Sequence, residues 1–312
     1  MSLLNLLIIG HGSQAKAWSK NLQISGVKVT IGLRSTSSTI QTVKNNGFDW
    51  IEIDRVREKL QFDAIILLTP DDSHEQILNL IANYLSEKSK IIYAHGFSVS
   101  KNKLNEKFPK FSHLLLAPKA IASEVIELFL EKKPIPAAFS LEFSLHPSQD
   151  LIFIEQLANS LGMTGKLVQT NFQEETFCDL FSEQSILCSV LPRVIKLSYD
   201  TLIKNGISNE LAFLECCLEA KYILNTLIKI GFKDFFEIIS PNALIGAEKA
   251  TKLFFTHEFE HKFDQLFQEI QSGKFYEEIA TTQIDTIRKK MVSLYNEGDI
   301  DSTRILLKEY LN

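Results

Sequence analysis

The chain has 312 residues, 45% of them hydrophobic and 23% charged, with a formal net charge of −5. That composition excludes a disordered chain and leaves enough length for two domains with their own cores. The slight negative charge and the lack of a long basic run argue against nucleic acid as the main partner, and no apolar run approaches bilayer length, so no membrane partner is expected.

The opening run Leu3 to Ile9 is apolar but short, lacks a cationic flank and leads directly into Gly10, so it reads as a strand, Leu4 to Ile9, and not as a signal peptide. From there to about residue 170, β-rich runs alternate with amphipathic stretches: Val27 to Leu33, Ala64 to Thr69, Ile91 to His95, Leu114 to Ala117, Ala137 to Phe143 and Leu167 to Thr170. The alternation predicts a parallel sheet, and continuously apolar runs suit strands covered on both faces. After Thr170 the pattern becomes helical, over Glu174 to Lys204, Asn209 to Ile230, Asn242 to Phe255, Glu258 to Ser272 and Gln283 to Asn296. The expected fold class is therefore α/β over 1–170 followed by an all-α domain over 171–312. The four cysteines, Cys178, Cys188, Cys216 and Cys217, lack CxxC spacing and read as reduced, buried small hydrophobes in a cytoplasmic protein.

Directly after the first strand stands Gly10-His11-Gly12-Ser13-Gln14-Ala15. In a βαβ unit this turn sets bare backbone and a helix N-terminus against a pyrophosphate, with Ala15 in the place of a third glycine. An NAD site wants an acid about 20 residues after the glycines, at the end of the second strand. Here that strand ends Gly32-Leu33-Arg34-Ser35-Thr36-Ser37-Ser38-Thr39. A guanidinium and several hydroxyls suit a 2′-phosphate, so NADP(H) is the expected dinucleotide, with Arg34, Ser37 and Thr39 as its ligands.

Two carboxylate pairs, Asp179 with Glu183 and Glu215 with Glu219, interrupt apolar stretches at helical spacing. Residues four apart share a helix face, where like charges repel unless a cation, a lysine or arginine, or solvent answers them. Read alone, each pair fits either a solvated stripe or a site for a hard cation such as Mg²⁺.

Taken in order, the motifs resemble those of ketol-acid reductoisomerases in their short, class I form. Gly10-His11-Gly12-Ser13-Gln14 looks like the family's GYGSQ, Gly32-Leu33-Arg34 with Ser37 like its GLR loop, and Pro70-Asp71 like its PD turn. Ala94-His95-Gly96-Phe97 is similar to the AHGF that carries the family's active-site histidine, and Ala117-Pro118-Lys119 to the APK that carries its catalytic lysine. Glu174-Glu175-Thr176 with Asp179-Leu180-Phe181 and Glu183-Gln184 resembles EETxxDLFxEQ, and Phe213-Leu214-Glu215-Cys216 with Glu219 resembles the FEC segment.

The resemblance implies a Rossmann-type domain and a knotted helical domain. It implies Mg²⁺-dependent alkyl migration in a 2-acetolactate-type substrate, followed by reduction by NADPH, in branched-chain amino-acid biosynthesis. It assigns two magnesium ions to Asp179, Glu183, Glu215 and Glu219, with Asp179 bridging and the second pair coming from the partner of a homodimer. It makes His95, Lys119, Glu219 and Ser240 catalytic or substrate-binding, and Gly10 to Gln14, Arg34, Ser37, Thr39 and Asp71 cofactor-binding. The chain departs from the family's GPG after Lys119, where it has Ala120-Ile121-Ala122, and Cys188-Ser189 replaces paired glycines. Added Cβ atoms reshape a pocket wall, so two other readings stand beside the first: an NADPH-dependent reductase of another 2-keto or 2-hydroxy acid, and a cofactor-binding homologue without turnover.

One motif points elsewhere. His257-Glu258-Phe259-Glu260-His261 fits HExxH, which on a helix can chelate zinc, but the preferred reading is a charged face of a surface helix.

Overall fold

The structure, a computed structural model, describes residues 4–296 and 299–311. Its contacts divide the chain into two compact units, 1–176 and 177–312.

The first unit is built on strands β1 (Asn5–Ile9), β2 (Lys28–Leu33), β3 (Asp49–Glu52), β4 (Ala64–Leu67), β5 (Lys90–Tyr93), β6 (Ser112–Pro118), β7 (Ala137–Phe143) and β8 (Leu167–Gln169). They form one sheet in the order β3-β2-β1-β4-β5-β6-β7-β8. All pairings are parallel except β6 with β7, which is antiparallel, so the expected parallel sheet is present with one antiparallel pair in it. Hydrophobic alternation reports which face a side chain takes but not the direction of the strand.

Alternation separates two cores. Leu6, Ile8, Ala64, Ile66, Ile92, Leu114 and Leu116 enter the one that holds Trp18, while Leu7, Ile9, Ile65, Leu67, Ile91, Tyr93 and Leu115 enter the other. Because both faces of the central strands are buried, runs such as Leu6 to Ile9 and Ala64 to Leu67 are apolar without interruption. β3 was not expected from the sequence. Asp49-Trp50-Ile51-Glu52 is short, half polar and at the sheet edge, where burial imposes little pattern.

The second unit is helical and more broken than its periodicity suggests. The helical stretch expected from Glu174 to Lys204 consists of the helix Phe172–Ser182, a π-helical turn Glu183–Leu187, a break at Cys188 and Ser189, and the helix Val190–Lys204. Pro192 explains the break. It lacks an N–H, and its ring would clash with the carbonyl four residues earlier in a continuous helix. A second π turn, Leu214–Leu218, separates the helices Asn209–Phe213 and Glu219–Ile230. Three further helices, Phe232–Ile238, Lys274–Thr281 and Ile300–Leu306, also went unread in the sequence. Among the described residues, no helix is long and apolar enough to cross a membrane.

The expectation of buried cysteines is not met at any of the four positions. Cys178 and Cys188 are exposed, while Cys216 and Cys217 are half-buried, and all four are free. On the helix carrying Cys178 the packed face is taken instead by Phe177 and Phe181, which meet Phe263 and Phe267 edge-on.

Candidate active site

Every motif of the first unit falls at a strand's carboxyl end. Gly10 to Gln14 follow β1, Arg34 follows β2, Asp71 follows β4, His95 follows β5 and Lys119 follows β6. The strand order reverses between β1 and β4, and ligands of such sheets bind at that switch point.

The turn after β1 has the geometry a pyrophosphate requires. Gly10 has φ +104°, and a Cβ there would meet the Leu68 carbonyl oxygen at 2.8 Å, so only glycine fits. A Cβ on Gly12 would meet nothing within 4 Å, which leaves the backbone before the helix Ser13–Ile24 open to a ligand. Ala15 is fully buried where that helix packs on the core. Both ring nitrogens of His11, Oε1 of Gln14 and Oδ1 of Asp71 are buried without hydrogen-bond partners. Buried polar atoms are normally satisfied, and these four, on three residues, belong to the loops expected to meet the dinucleotide, so the residues present fit it. Burial, with the Lys16 charge, lowers the pKa of His11 and favours a neutral imidazole.

Around the expected 2′-phosphate, Arg34 is exposed and its Nη2 donates to Gln76 Oε1 at 2.7 Å. Ser37 and Thr39 are joined hydroxyl to hydroxyl at 2.9 Å.

A residue with no role assigned from the sequence, Glu175, organises the expected catalytic pair. Its Oε1 accepts from Lys119 Nζ at 2.8 Å, and its Oε2 lies 2.9 Å from His95 Nδ1 and accepts from the Gly96 N–H at 2.7 Å. Glu175 is only 3% exposed. Burial alone pushes its carboxyl up, but the hydrogen bond and charge of His95, with the Lys119 ammonium, outweigh this and hold the pKa at about 2. An ionised carboxylate only accepts, so His95 Nδ1 must carry the proton shared with it. Gly96 is sterically required, because a Cβ would meet the Phe172 carbonyl oxygen at 2.3 Å. The signal that could have found Glu175 is its spacing: it precedes Asp179 by four residues, as Asp179 precedes Glu183.

Ile121, in the departed segment after Lys119, caps the helix Ala122–Leu130 in an extended conformation, while Ala120 and Ala122 pack partly against the core. The extra Cβ atoms are therefore accommodated without positive φ.

In the second unit Asp179 is half-buried and Glu183, Glu215 and Glu219 are exposed. Glu183 begins one π turn and Glu215 lies in the other, with Glu219 directly after it. Such turns recur at functional sites, where the extra residue re-aims side chains. Among the described residues no salt bridge to lysine or arginine engages Glu215 or Glu219, so the stripe answered by cationic side chains does not describe that pair. Four carboxylates are a hard-oxygen donor set that fits magnesium. Ser240 caps the helix Pro241–Phe254, its oxygen accepting from the Ala243 N–H at 3.2 Å, and no hydrogen bond among the described residues joins it to the acids.

HExxH lies on the helix His257–Gln271 as a solvated face. His257 is fully exposed and pairs with Glu260 at 3.4 Å, and Lys262 answers Glu258 at 3.3 Å.

Fold and site together define an NADP-dependent oxidoreductase with a helical second unit that bears acidic π turns. A family model described as the NADPH-binding domain of acetohydroxy acid isomeroreductase matches residues 3–164, and one described as the C-terminal domain of ketol-acid reductoisomerase matches residues 172–303. The chain belongs to the ketol-acid reductoisomerase family. It is 34% identical over 276 residues to the ketol-acid reductoisomerase (NADP(+)) of Helicobacter pylori strain J99, covering 87% of this chain and 82% of that one. It is 32% identical over 272 residues to that of Clostridioides difficile strain 630, covering 86% and 81%. Its fold matches an NADH-preferring ketol-acid reductoisomerase from an uncultured archean with a TM-score of 0.79 at 23% identity, over 98% of this chain and 94% of that one.

Proposed function

We propose that the protein is an NADPH- and magnesium-dependent ketol-acid reductoisomerase, acting on 2-acetolactate-type substrates in the cytoplasm for branched-chain amino-acid biosynthesis. The observation that carries this reading is the clamp of His95 and Lys119 on the buried, ionised Glu175. When bound, two magnesium ions supply Lewis acidity toward the substrate oxygens and NADPH supplies a hydride. Asp179, Glu183, Glu215 and Glu219 would hold the metal. Gly10, His11, Gly12, Ser13, Gln14, Arg34, Ser37, Thr39 and Asp71 would hold the dinucleotide.

The chain's own part in the chemistry is proton placement. Glu175 holds the Lys119 ammonium in place as a hydrogen-bond donor and orients the His95 ring so that Nε2 is the nitrogen that gives or takes a proton. Ser240 would bind substrate through its hydroxyl proton, since its oxygen already accepts in the helix cap.

The active form is a homodimer whose sites draw Glu215 and Glu219 from the second copy. Support for this comes from the exposed large apolar side chains of the helical unit: Ile228 is 74% exposed, Phe232 71%, Leu253 67% and Phe254 62%. Apolar area of that extent marks an interaction surface.

The test is NADPH oxidation by the purified chain with 2-acetolactate, with and without Mg²⁺, against 3-hydroxypyruvate and 2-ketopantoate. Magnesium-dependent turnover of 2-acetolactate supports the reading. Turnover of the simple keto acids alone favours the reductase suggested by Ala120-Ile121-Ala122, and no turnover favours a binding protein.

A further inference from the structure

We propose that Asp54 is a positioning residue for the cofactor loop and sets the preference for a 2′-phosphorylated nucleotide, an inference that rests on placing that phosphate at Arg34, Ser37 and Thr39. Asp54 follows β3 by two residues. β3 pairs with β2 so that Glu52 lies opposite Leu33, and the Ile53 N–H donates to the Leu33 carbonyl oxygen at 2.9 Å, which brings the end of β3 beside the loop leaving β2. There Asp54 grips a single residue of that loop with both oxygens. Its Oδ1 accepts from the Ser35 N–H at 2.9 Å and its Oδ2 from the Ser35 hydroxyl at 2.7 Å.

The rest of the loop is closed by its own bonds. The Ser37 N–H donates to the Arg34 carbonyl oxygen at 2.9 Å, and the Thr39 N–H to the Ser37 hydroxyl oxygen at 3.3 Å. These bonds shape the turn, while the Asp54 clamp ties its Ser35 to the neighbouring strand. A carboxylate near a phosphate site also repels the phosphate. Solvent and salt weaken that repulsion for an exposed charge, whereas releasing the loop returns backbone freedom that binding must then remove. The clamp is therefore the larger effect, and it acts only on ligands that carry the 2′-phosphate. The Ser35 bonds lower the Asp54 pKa, so the clamp is fully charged at neutral pH.

The experiment is calorimetric titration of the full chain, without substrate, with 2′,5′-ADP and 5′-AMP, and with NADPH and NADH. For Asp54→Ala the Kd for 2′,5′-ADP and NADPH rises about five- to tenfold, while that for 5′-AMP and NADH stays within about twofold. Asp54→Asn restores most of the loss, because its amide oxygen accepts from the Ser35 N–H and its NH₂ donates to the hydroxyl oxygen. Thermal midpoints stay close to that of the unaltered chain. Tighter NADPH binding in Asp54→Ala overturns the proposal in favour of repulsion, and equal weakening of all four ligands overturns it in favour of a general structural role. Arg34→Ala separates the two levels. If Arg34→Ala weakens 2′,5′-ADP and Asp54→Ala does not, the Asp54 inference alone fails. If Arg34→Ala has no effect, the phosphate placement fails and the inference falls with it.

Discussion

The two units of this chain solve the burial problem differently. In the first, alternating strand residues fill two cores with fully buried Leu, Ile, Trp and Tyr side chains. In the second, one small core holds Tyr199, Ala212 and Phe213, while Ile228, Leu253 and Phe254 face outward. A sheet covered on both faces is sufficient to itself, and a helical array with this much exposed apolar surface calls for a covering partner. The chemistry follows the same division: the first unit carries the nucleotide turn and the Glu175 clamp, and the second carries the acid pairs, one member of each on a π turn.

This contrast can be broken at four points. The largest effect is expected at Asp179. Asp179→Ala removes a proposed metal ligand worth several kcal/mol of transition-state stabilisation, so isomerisation of 2-acetolactate falls on the order of a thousandfold. Activity within a few-fold of the unaltered chain would remove that residue from the site. Next comes Trp18→Ala, which empties a fully buried site of the first unit and costs about 3–5 kcal/mol in chemical unfolding, with the oligomeric state unchanged in light scattering.

Glu175→Gln keeps the shape of the clamp but removes its charge, and kcat falls on the order of a hundredfold. The same variant tests the acid limb of stability. The carboxyl titrates at about 2 in the folded chain against the usual 4.5, so its contribution is present above about 4.5 and is lost as pH falls toward 2. Unfolding titrations from pH 5 to 2 should show a shallower loss in Glu175→Gln, and an unchanged slope would contradict the assignment. The smallest effect belongs to HExxH. His257→Ala with His261→Ala should alter neither metal content nor turnover, because both residues lie on a solvated helix.

What the sequence made legible follows the same line. Uninterrupted apolar runs such as Ala64-Ile65-Ile66-Leu67, together with the glycine turn after Ile9, mark the central strands because burial on both faces leaves no freedom in residue type. β3 escaped because Asp49 and Glu52 sit on an edge that water tolerates. The π turns escaped because one extra residue leaves no composition of its own, although Pro192 does signal that a helix cannot run through Cys188. Glu175 lies inside the EETxxDLFxEQ-like segment, where sequence alone gives it no role. Its meaning depends on β5 and β6 delivering His95 and Lys119 to the same carboxylate, and that adjacency is tertiary. Asp54 escaped for a related reason, since its partner Ser35 is reached through strand pairing and not through sequence spacing.

In the proposed homodimer the second unit is completed by another copy of the chain. Subunit complementation tests it most directly. Asp179→Ala and Glu215→Ala chains, each inactive alone, are co-expressed, and activity per site is measured on the purified mixture. If Asp179 and Glu215 of one site come from different copies, each mixed dimer has one intact site, and random pairing recovers about a quarter of the unaltered activity. Recovery no greater than the sum of the two separate variants would contradict a shared site and leave the helical unit's apolar surface unexplained.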